Sequence, residues 1–286
     1  MLKKFIGYIS FVRGFSQVTI ERCELTLHNF DLFLNTLWKT INKPQNITIL
    51  DICDYLSQMR EKWLSPASSN AILSCIKSFL RYIDEILELN VCKYWRIRGI
   101  RRQAPNIWYF DEQEKEKILK AINEWFGTKK ITQIRNRLLT YMFLHTGLRV
   151  QEIANIRVNE IGETLQIIGK WGKRRFVYLR EELLGMIKEY LEIRNKKSDY
   201  LFPAPKEWHI EVWTIKNVYK KLSKKLGFHI HPHKFRHTFA VDLLHLPWSN
   251  IYNVSRLMGH TWITTTQMYL GVNNTELKDL QFWLKF

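Results

Sequence analysis

The sequence predicts a mainly α-helical protein of two domains with a small β-sheet, and three observations lead to this fold class. The chain has 286 residues, which is more than one core usually takes, so two domains are expected. Apolar residues recur at helical spacing over most of its length. Residues 164–179 instead have short apolar runs on both sides of a Gly-Lys-Trp-Gly-Lys tip, which predicts a β-hairpin.

The first domain is predicted to be helical and to span residues 1–100. Ser65 and Pro66 mark a helix start, because proline fits the first turn of a helix. Ser16 and Thr19 are the candidate N-caps of an earlier helix. The apolar spacing predicts helices over residues 19–38, 50–63, 66–83 and 86–94.

A basic linker over residues 101–108 is predicted to join the two domains. The stretch from Arg96 to Pro105 is rich in arginine and has little periodicity. Its composition leaves two roles open, a linker that lies along a DNA backbone and a solvated surface loop.

The second domain is predicted to span residues 109–286. Asp111 and the acids after it resemble a capped helix start, and Gly147 is typical of a helix end. Helices are predicted over residues 111–126 and 132–145 and again from Glu181, with a break at residues 203–205.

The charge balance favours a polyanionic partner. Lysine and arginine total 44 against 27 aspartate and glutamate, a formal net charge of +17. Cationic side chains that neutralise phosphates release counterions on binding, so nucleic acid is the favoured partner over a protein that is merely basic. The four cysteines lack metal-type spacing, and the N-terminal apolar stretch is too short to cross a bilayer. We therefore expect a cytoplasmic protein without a membrane partner.

Four short segments carry residues suited to phosphoryl transfer. They contain Arg149, Lys170, the pair His233 and Arg236 at HxxR spacing, and His260 followed nine residues later by Tyr269. Each segment alone is weak, since a surface arginine or a packed tyrosine is common. Together they supply an oxygen nucleophile, cations for the phosphate oxygens and proton donors. The sequence has no DxD or HExxH motif, so no metal and no cofactor are expected.

The segments TGLRVQEI, IIGKWGKRRFVYL, HPHKFRHTFAVDLL and LMGHTWITTTQMYL resemble, in this order, the catalytic boxes of the tyrosine recombinase/phage integrase family. Compact Xer-type members are the most similar. The resemblance is strong from residue 111 to residue 270 and weaker over the first hundred residues. It implies a helical, SAM-like core-binding domain followed by a tyrosine-recombinase catalytic domain.

By this resemblance, Arg149 and Arg236 would clamp the scissile phosphate. Tyr269 would attack it to form a 3′-phosphotyrosyl link and release a 5′-hydroxyl. Glu152, three residues after Arg149, would support the site from the same helix face. His237, beside Arg236, is expected to pack or cap rather than act.

The resemblance also assigns the proton donors. Lys170 would protonate the leaving oxygen, although Lys173 in the same hairpin tip is the alternative. His233 would assist proton transfer, and His260 would hydrogen-bond the phosphate.

The resemblance further implies a homotetramer that holds two specific sites in double-stranded DNA and exchanges strands through a Holliday junction. A C-terminal helix within residues 273–286 would dock on a neighbouring subunit, although folding back on its own domain remains open. The fifteen residues before the first predicted core helix leave no room for an arm-binding domain. Chromosome dimer resolution and mobile-element integration or excision are both compatible roles. A type IB topoisomerase and a non-catalytic DNA-binding relative are the alternative functions.

Overall fold

The structure is a computed structural model, and the chain divides into two compact units, Met1–Ala104 and Pro105–Phe286. The residues that it describes are 1–61, 64–101, 107–124, 126–169, 174–194, 196–204, 208–259, 264–267 and 269. Each unit has its own apolar core, and the larger unit adds a second small cluster.

The first unit is helical throughout its regular structure. The helix α1 (Leu2–Gly7) continues directly into a π-helical turn over Tyr8–Val12, and short 3-10 turns lie at Pro44–Asn46 and Tyr94–Arg96. Its α-helices are α1 (Leu2–Gly7), α2 (Gln17–Thr36), α3 (Ile49–Glu61) and α4 (Pro66–Glu85).

The predictions for α2, α3 and α4 are confirmed to within two residues at the ends that the structure describes. Ser65 caps α4 as expected, because its hydroxyl accepts a hydrogen bond of 3.2 Å from the backbone N–H of Ser68. The helix predicted over residues 86–94 is wrong. The helix α4 ends at Glu85, and Glu88 then adopts a φ of 53°, a left-handed conformation that a continuing α-helix does not contain. The apolar residues after it pack on the core as a loop.

The start of the arginine-rich segment is fixed to α4. The side chain of Asn70 forms two hydrogen bonds of 2.8 Å with the backbone of Ile100, one as donor and one as acceptor. Lys77 donates to the carbonyl of Ile97, and Ile97 itself is buried. Residues 102–106 of the predicted linker lie outside the described residues.

The second unit contains eight described α-helices and one hairpin. Its strands pair antiparallel from Thr164 opposite Tyr178 to Ile168 opposite Arg174. In chain order its elements are α5 (Glu112–Asn123), α6 (Lys130–Thr146), α7 (Val150–Ala154), β1 (Thr164–Ile168), β2 (Arg174–Tyr178), α8 (Glu181–Ile193), α9 (Val212–Leu226), α10 (Pro232–Leu244), α11 (Ile251–Met258) and α12 (Thr264–Gln267).

The helix α10 is held in the middle of this unit by apolar and polar contacts. Phe235 is fully buried in the main core. Thr238 accepts a hydrogen bond of 2.9 Å from the backbone N–H of Phe110, just before α5. Lys234 donates two hydrogen bonds, of 3.1 and 2.8 Å, to the carboxylate of Glu114 on α5. These contacts leave α10 little freedom to shift or rotate.

The mainly α-helical fold class with one small sheet is confirmed. Asp111 caps α5 through the N–H of Glu114, and Gly147 ends α6 with a φ of 58°, both as predicted. In the part of the chain that the structure describes, no helix is long and apolar enough to cross a membrane.

We expect the core of the first unit to be sensitive to a single truncation on α2. Leu27 is fully buried, whereas Leu25 on the same helix is 61% exposed. Leu27→Ala should therefore lower the free energy of unfolding by about 2–5 kcal/mol, and Leu25→Ala by less than about 0.5 kcal/mol. Hydrogen exchange of the α2 amides in the full-length chain measures both. Equal losses of protection would contradict this placement of α2.

Candidate active site

The helix α10 places Arg236 inside the second unit. Its guanidinium is only 5% exposed, and it donates one hydrogen bond of 2.5 Å to the carbonyl of Gly147 and another to the carbonyl of Met258. These carbonyls lie at the ends of α6 and α11, where a helix leaves backbone acceptors without partners and carries partial negative charge. Burial and the charge of Arg149 lower the pKa of Arg236 to about 9, so it stays protonated at neutral pH.

Arg149, at the start of α7, also binds the turn at the end of α11. It is the N-cap of α7, and its backbone N–H donates a hydrogen bond of 2.7 Å to Glu152. One guanidinium nitrogen donates to Glu152 at 2.9 Å, and the other donates to the carbonyl of Gly259 at 3.3 Å. Since Arg236 holds the carbonyl of Met258, the two arginines bind consecutive carbonyls and must lie close together.

Glu152 joins three elements through two arginines. Besides Arg149, it accepts two hydrogen bonds, of 2.9 and 2.7 Å, from Arg175 on β2. Arg175 also donates to the carbonyl of Leu257 at the end of α11, at 3.0 Å. Burial alone would raise the pKa of Glu152, but the hydrogen bonds and charge of Arg175, with those of Arg149, outweigh it and lower that pKa.

Two glycines make this close approach possible. Gly259 has a φ of 62°, and a Cβ there would lie 2.9 Å from a guanidinium nitrogen of Arg175. Gly147 has a φ of 58°, and a Cβ there would lie 2.2 Å from the ring of Phe239. A side chain at either position would strain the backbone and collide with a neighbour, so both turns need glycine.

Tyr269 lies in the small second cluster of this unit. It is 4% exposed and packs with Ala240, Val241, Val254 and Met258. Burial raises the pKa of its hydroxyl, although the charges of Arg236 and Arg149 act in the opposite direction.

His237 contacts the hydroxyl of Tyr269. Its Nδ1 lies 2.8 Å from the tyrosine oxygen, within hydrogen-bond distance. Burial, followed by the charges of His233 and Arg236, lowers the pKa of His237 to about 4, so the ring is neutral at pH 7. His237 therefore contacts the predicted nucleophile, a partner that the sequence did not indicate.

His233 lies one turn before His237 and is exposed. Partial desolvation and the charges of Arg236 and Lys216 lower its pKa, so it too is neutral at pH 7. Its ring has no hydrogen bond to another described residue. It is therefore available to a group that binds beside the arginines.

Several predicted site residues lie outside the described part of the chain. They are Lys170, its alternative Lys173, His260 and the predicted C-terminal helix within residues 273–286. Among the residues that are described, no three His, Cys, Asp or Glu side chains converge as metal ligands would.

A cleft of about 1110 Å³ opens beside the arginine cluster. Arg149, Arg174, Arg175 and Arg256 contribute to its wall, with Glu152 as the described acidic group. Each guanidinium carries five N–H donors, so Arg149 and Arg236 keep donors beyond those already used on carbonyls and Glu152. The arrangement suits an anion with several oxygens, such as a phosphate.

The sequence interpretation missed Arg175 and the contact of His237 with Tyr269. In both cases the sequence pattern contains an indication of the role. Arg175 pairs opposite Ile167, and it shares the inward face of β2 with buried Val177. An arginine at an inward strand position needs a charged partner. His237 is three and four residues from Ala240 and Val241, so helical spacing already places it on the face that receives Tyr269.

We expect Arg175 to carry more stability than its neighbour on β2. Arg175→Lys loses the two-pronged contact with Glu152, because an ammonium group cannot reproduce the planar guanidinium. It should lower the free energy of unfolding by roughly 2 kcal/mol, whereas the exposed Arg174→Lys should change it by less than about 0.5 kcal/mol. Urea unfolding of the full-length chain measures both. Similar values for the two variants would contradict a structural role of the Arg175 contact.

The lowered pKa of Glu152 predicts a pH-dependent contribution to stability. A carboxyl whose folded pKa lies below its ordinary value of 4.5 stabilises the fold above that pH, and the contribution is lost as the pH falls through the folded pKa. Glu152→Gln should lower the melting temperature by about 4–8 °C at pH 7, and the gap should shrink as the pH falls below 4.5. Thermal unfolding over this pH range checks it, and a gap that stays constant would contradict the prediction.

Comparison with known proteins gives a consistent assignment. Residues 109–276 match the phage integrase family, and residues 2–85 match the N-terminal SAM-like domain of phage integrases. The tyrosine recombinase XerC of Leptospira interrogans serogroup Icterohaemorrhagiae serovar copenhageni is 29% identical, over 97% of this chain and 90% of the relative. The tyrosine recombinase XerA of Pyrococcus furiosus is 28% identical, over 98% of this chain and 92% of the relative.

Solved structures share the fold. The XerH site-specific recombinase bound to its difH substrate, in a pre-cleavage complex, superposes with a TM-score of 0.75 at 20% identity, over 100% of this chain and 95% of that one. A lambda integrase dimer bound to a core site gives a TM-score of 0.70 at 16% identity, over 94% and 93%. Since the family match covers more than half of the chain, the protein belongs to the phage integrase family of tyrosine recombinases.

Proposed function

We propose that the protein is a site-specific DNA recombinase that cuts and rejoins double-stranded DNA through a covalent bond to Tyr269. The main observation behind this proposal is the position of buried Tyr269. Its hydroxyl contacts His237, and the positive charges of Arg236 and Arg149 act on it. A tyrosine in this setting has a nucleophilic oxygen and cations for a phosphate within one site. The net charge of +17 supports DNA as the polyanion.

In the first step, Arg149 and Arg236 bind the non-bridging oxygens of the scissile phosphate with the donors that they have left. Tyr269 attacks the phosphorus, and the bond to the 5′-oxygen breaks, which leaves a 3′-phosphotyrosyl link. Lys170 protonates the leaving 5′-oxygen, with Lys173 as the alternative donor. Both arginines stabilise the charge that develops on the phosphate as the new bond forms.

Two histidines complete the set of groups that we assign to the phosphate. His233 is exposed and neutral, so it can assist proton transfer at the site. His260 follows Gly259, whose carbonyl binds Arg149, and we assign it a hydrogen bond to the phosphate. Glu152 keeps Arg149 oriented rather than contacting the DNA.

Rejoining is the reverse reaction with a 5′-hydroxyl as the nucleophile. The phosphotyrosyl bond keeps the energy of the phosphodiester that was broken, so we assign no cofactor to the reaction. When the hydroxyl comes from a second DNA site, strands are exchanged and a Holliday junction forms. We propose a homotetramer on two sites, with the C-terminal residues 273–286 docked on the neighbouring subunit. The DNA-bound structures of XerH and lambda integrase, which share the fold, support DNA as the partner.

The biological role that fits this chemistry is Xer-like resolution of chromosome dimers or integration and excision of a mobile element. Both use an inverted-repeat site with a short central spacer. Genomic fragments that the protein protects from nuclease digestion identify this site. A site near the replication terminus supports the first role, and sites at the ends of a mobile element support the second.

We expect Tyr269 to be the residue that becomes attached to DNA. The substrate is a duplex of the protected site with a nick beside the cleavage position, so that a short fragment diffuses away and traps the adduct. The unsubstituted protein should form an adduct that survives denaturing electrophoresis, and Tyr269→Phe should form none. The exposed Tyr252, 60% accessible on α11, gives the control Tyr252→Phe, which should form the adduct normally.

An adduct with Tyr269→Phe would overturn the assignment of the nucleophile. A second assay separates recombination from relaxation by a topoisomerase. A supercoiled plasmid with two sites should yield recombinant products, and a plasmid without a site should stay supercoiled. Relaxation of the plasmid without a site, with no recombinants from the other, would favour a type IB topoisomerase.

A further inference from the structure

His237 has no part in the reaction as assigned so far, yet it touches the attacking atom. Its Nδ1 lies 2.8 Å from the hydroxyl oxygen of Tyr269, and the two ring centroids are 5.6 Å apart. His233, the histidine of the HxxR pair, lies one turn earlier on α10 and is exposed. The two histidines therefore differ in position, one beside the nucleophile and one open to solvent.

We propose that His237 is a catalytic residue that accepts the phenolic proton of Tyr269 during DNA cleavage and returns it during rejoining. This inference rests on the proposed function, because it takes Tyr269 as the nucleophile. As the bond from the tyrosine oxygen to phosphorus forms, the O–H bond breaks and its proton passes to Nδ1 of His237. The bond from phosphorus to the 5′-oxygen breaks with its electron pair, and that oxygen takes a proton from Lys170.

The position of His237 gives it the geometry of a general base. A proton acceptor must lie within about 2.6–3.2 Å of the atom that carries the proton, and 2.8 Å meets this requirement. The packing of α10 on α5 through Lys234 and Thr238 fixes the helix that carries His237. Because Tyr269 is only 4% exposed, bulk water has little access to take the proton instead.

The charges around His237 keep its ring neutral and ready to accept. The charged and titratable neighbours of His237 are His233 and Arg236 on α10 and His231 just before it, and the hydroxyl of Tyr269 contacts its ring. The pKa of about 4 means that Nδ1 can be free of a proton throughout the physiological range. A phosphate bound by Arg149 and Arg236 adds negative charge nearby, which raises the basicity of His237 when substrate is present.

The phenolic proton becomes easier to remove as the reaction advances. Burial raises the pKa of Tyr269, so little phenolate exists before attack. As the oxygen bonds to phosphorus its electron density falls, and its remaining proton becomes strongly acidic. A weakly basic neighbour is then sufficient, provided that it is already hydrogen-bonded to that oxygen.

The test measures the first-order rate of adduct formation on the nicked duplex between pH 6 and pH 8, with full-length protein in excess. The variants are His237→Gln and His237→Ala, with His245→Gln at the end of α10 as the matched control. Glutamine can hold the tyrosine hydroxyl but cannot take its proton. Both His237 variants should react about 100- to 1,000-fold more slowly at pH 7, and the control should match the unsubstituted protein.

The pH profile separates proton transfer from a structural role. For the unsubstituted protein the rate should depend only weakly on pH over this range, because His237 is already neutral when the DNA binds. In both variants the proton must be lost before attack, so the rate should rise up to tenfold per pH unit. Added imidazole should restore His237→Ala, where a space opens beside Tyr269, and leave His237→Gln unchanged.

Three results would overturn the inference. A His237→Gln rate close to that of the unsubstituted protein would mean that His237 only holds the hydroxyl. If the two His237 variants are slow but lack the steeper pH profile or the imidazole rescue, His237 has a structural role. Loss of DNA protection by these variants would mean the same. Adduct formation by Tyr269→Phe would remove the nucleophile itself and overturn the proposed function as well, whereas the first two results leave that function intact.

Discussion

The carboxylate of Glu152 holds together the part of the structure on which the candidate site depends. It bonds the N-cap of α7 through Arg149 and the strand β2 through Arg175, and Arg175 in turn binds the end of α11. A buried ion pair contributes little net stability over apolar packing, but it fixes a geometry strongly, because breaking it leaves a charge unpaired. In this protein it fixes the relative positions of the start of α7, the end of α11 and the strand β2.

This constraint explains how two arginines can lie close together. Arg149 and Arg236 repel one another, and that repulsion contributes to the lowered pKa of Arg236. Glu152 and the carbonyls at the ends of α6 and α11 supply compensating negative charge. The compensation is partial, since these carbonyls carry only fractional charge. The phosphate of the proposed reaction, with a full charge and several acceptor oxygens, would therefore bind to a site that is already arranged for it, with little reorganisation.

The sequence predicts the elements of this structure better than the contacts between them. Helix starts such as Ser65 and Asp111, and the helix end at Gly147, depend on local chemistry and are confirmed. The region after α4 is apolar enough to look helical, but its side chains pack on the core from a loop, and only tertiary packing decides between the two.

In the candidate site, too, the sequence predicts individual residues better than the contacts between them. The motifs identify Arg149, His233, Arg236 and Tyr269, and the structure brings them into one unit. Arg175 and His237 escaped because their roles depend on partners that are distant in sequence. Glu152 is 23 residues from Arg175, and Tyr269 is 32 residues from His237. A buried partner is indicated both by an arginine on the inward face of a strand and by a histidine on the apolar face of a helix. Neither pattern identifies which residue that partner is.

Burial of the nucleophile has a consequence for the proposed reaction. Hydrolysis of a phosphotyrosyl link would leave the DNA broken, so the proposed cut-and-rejoin reaction requires that water be excluded while a DNA hydroxyl is admitted. Tyr269 is 4% exposed, and its hydroxyl contacts His237. In the proposed mechanism the bound phosphate raises the basicity of His237, and while the ring keeps the proton it cannot act as a base toward water. The same residue then favours attack by tyrosine in one direction and protects the intermediate until a DNA hydroxyl arrives.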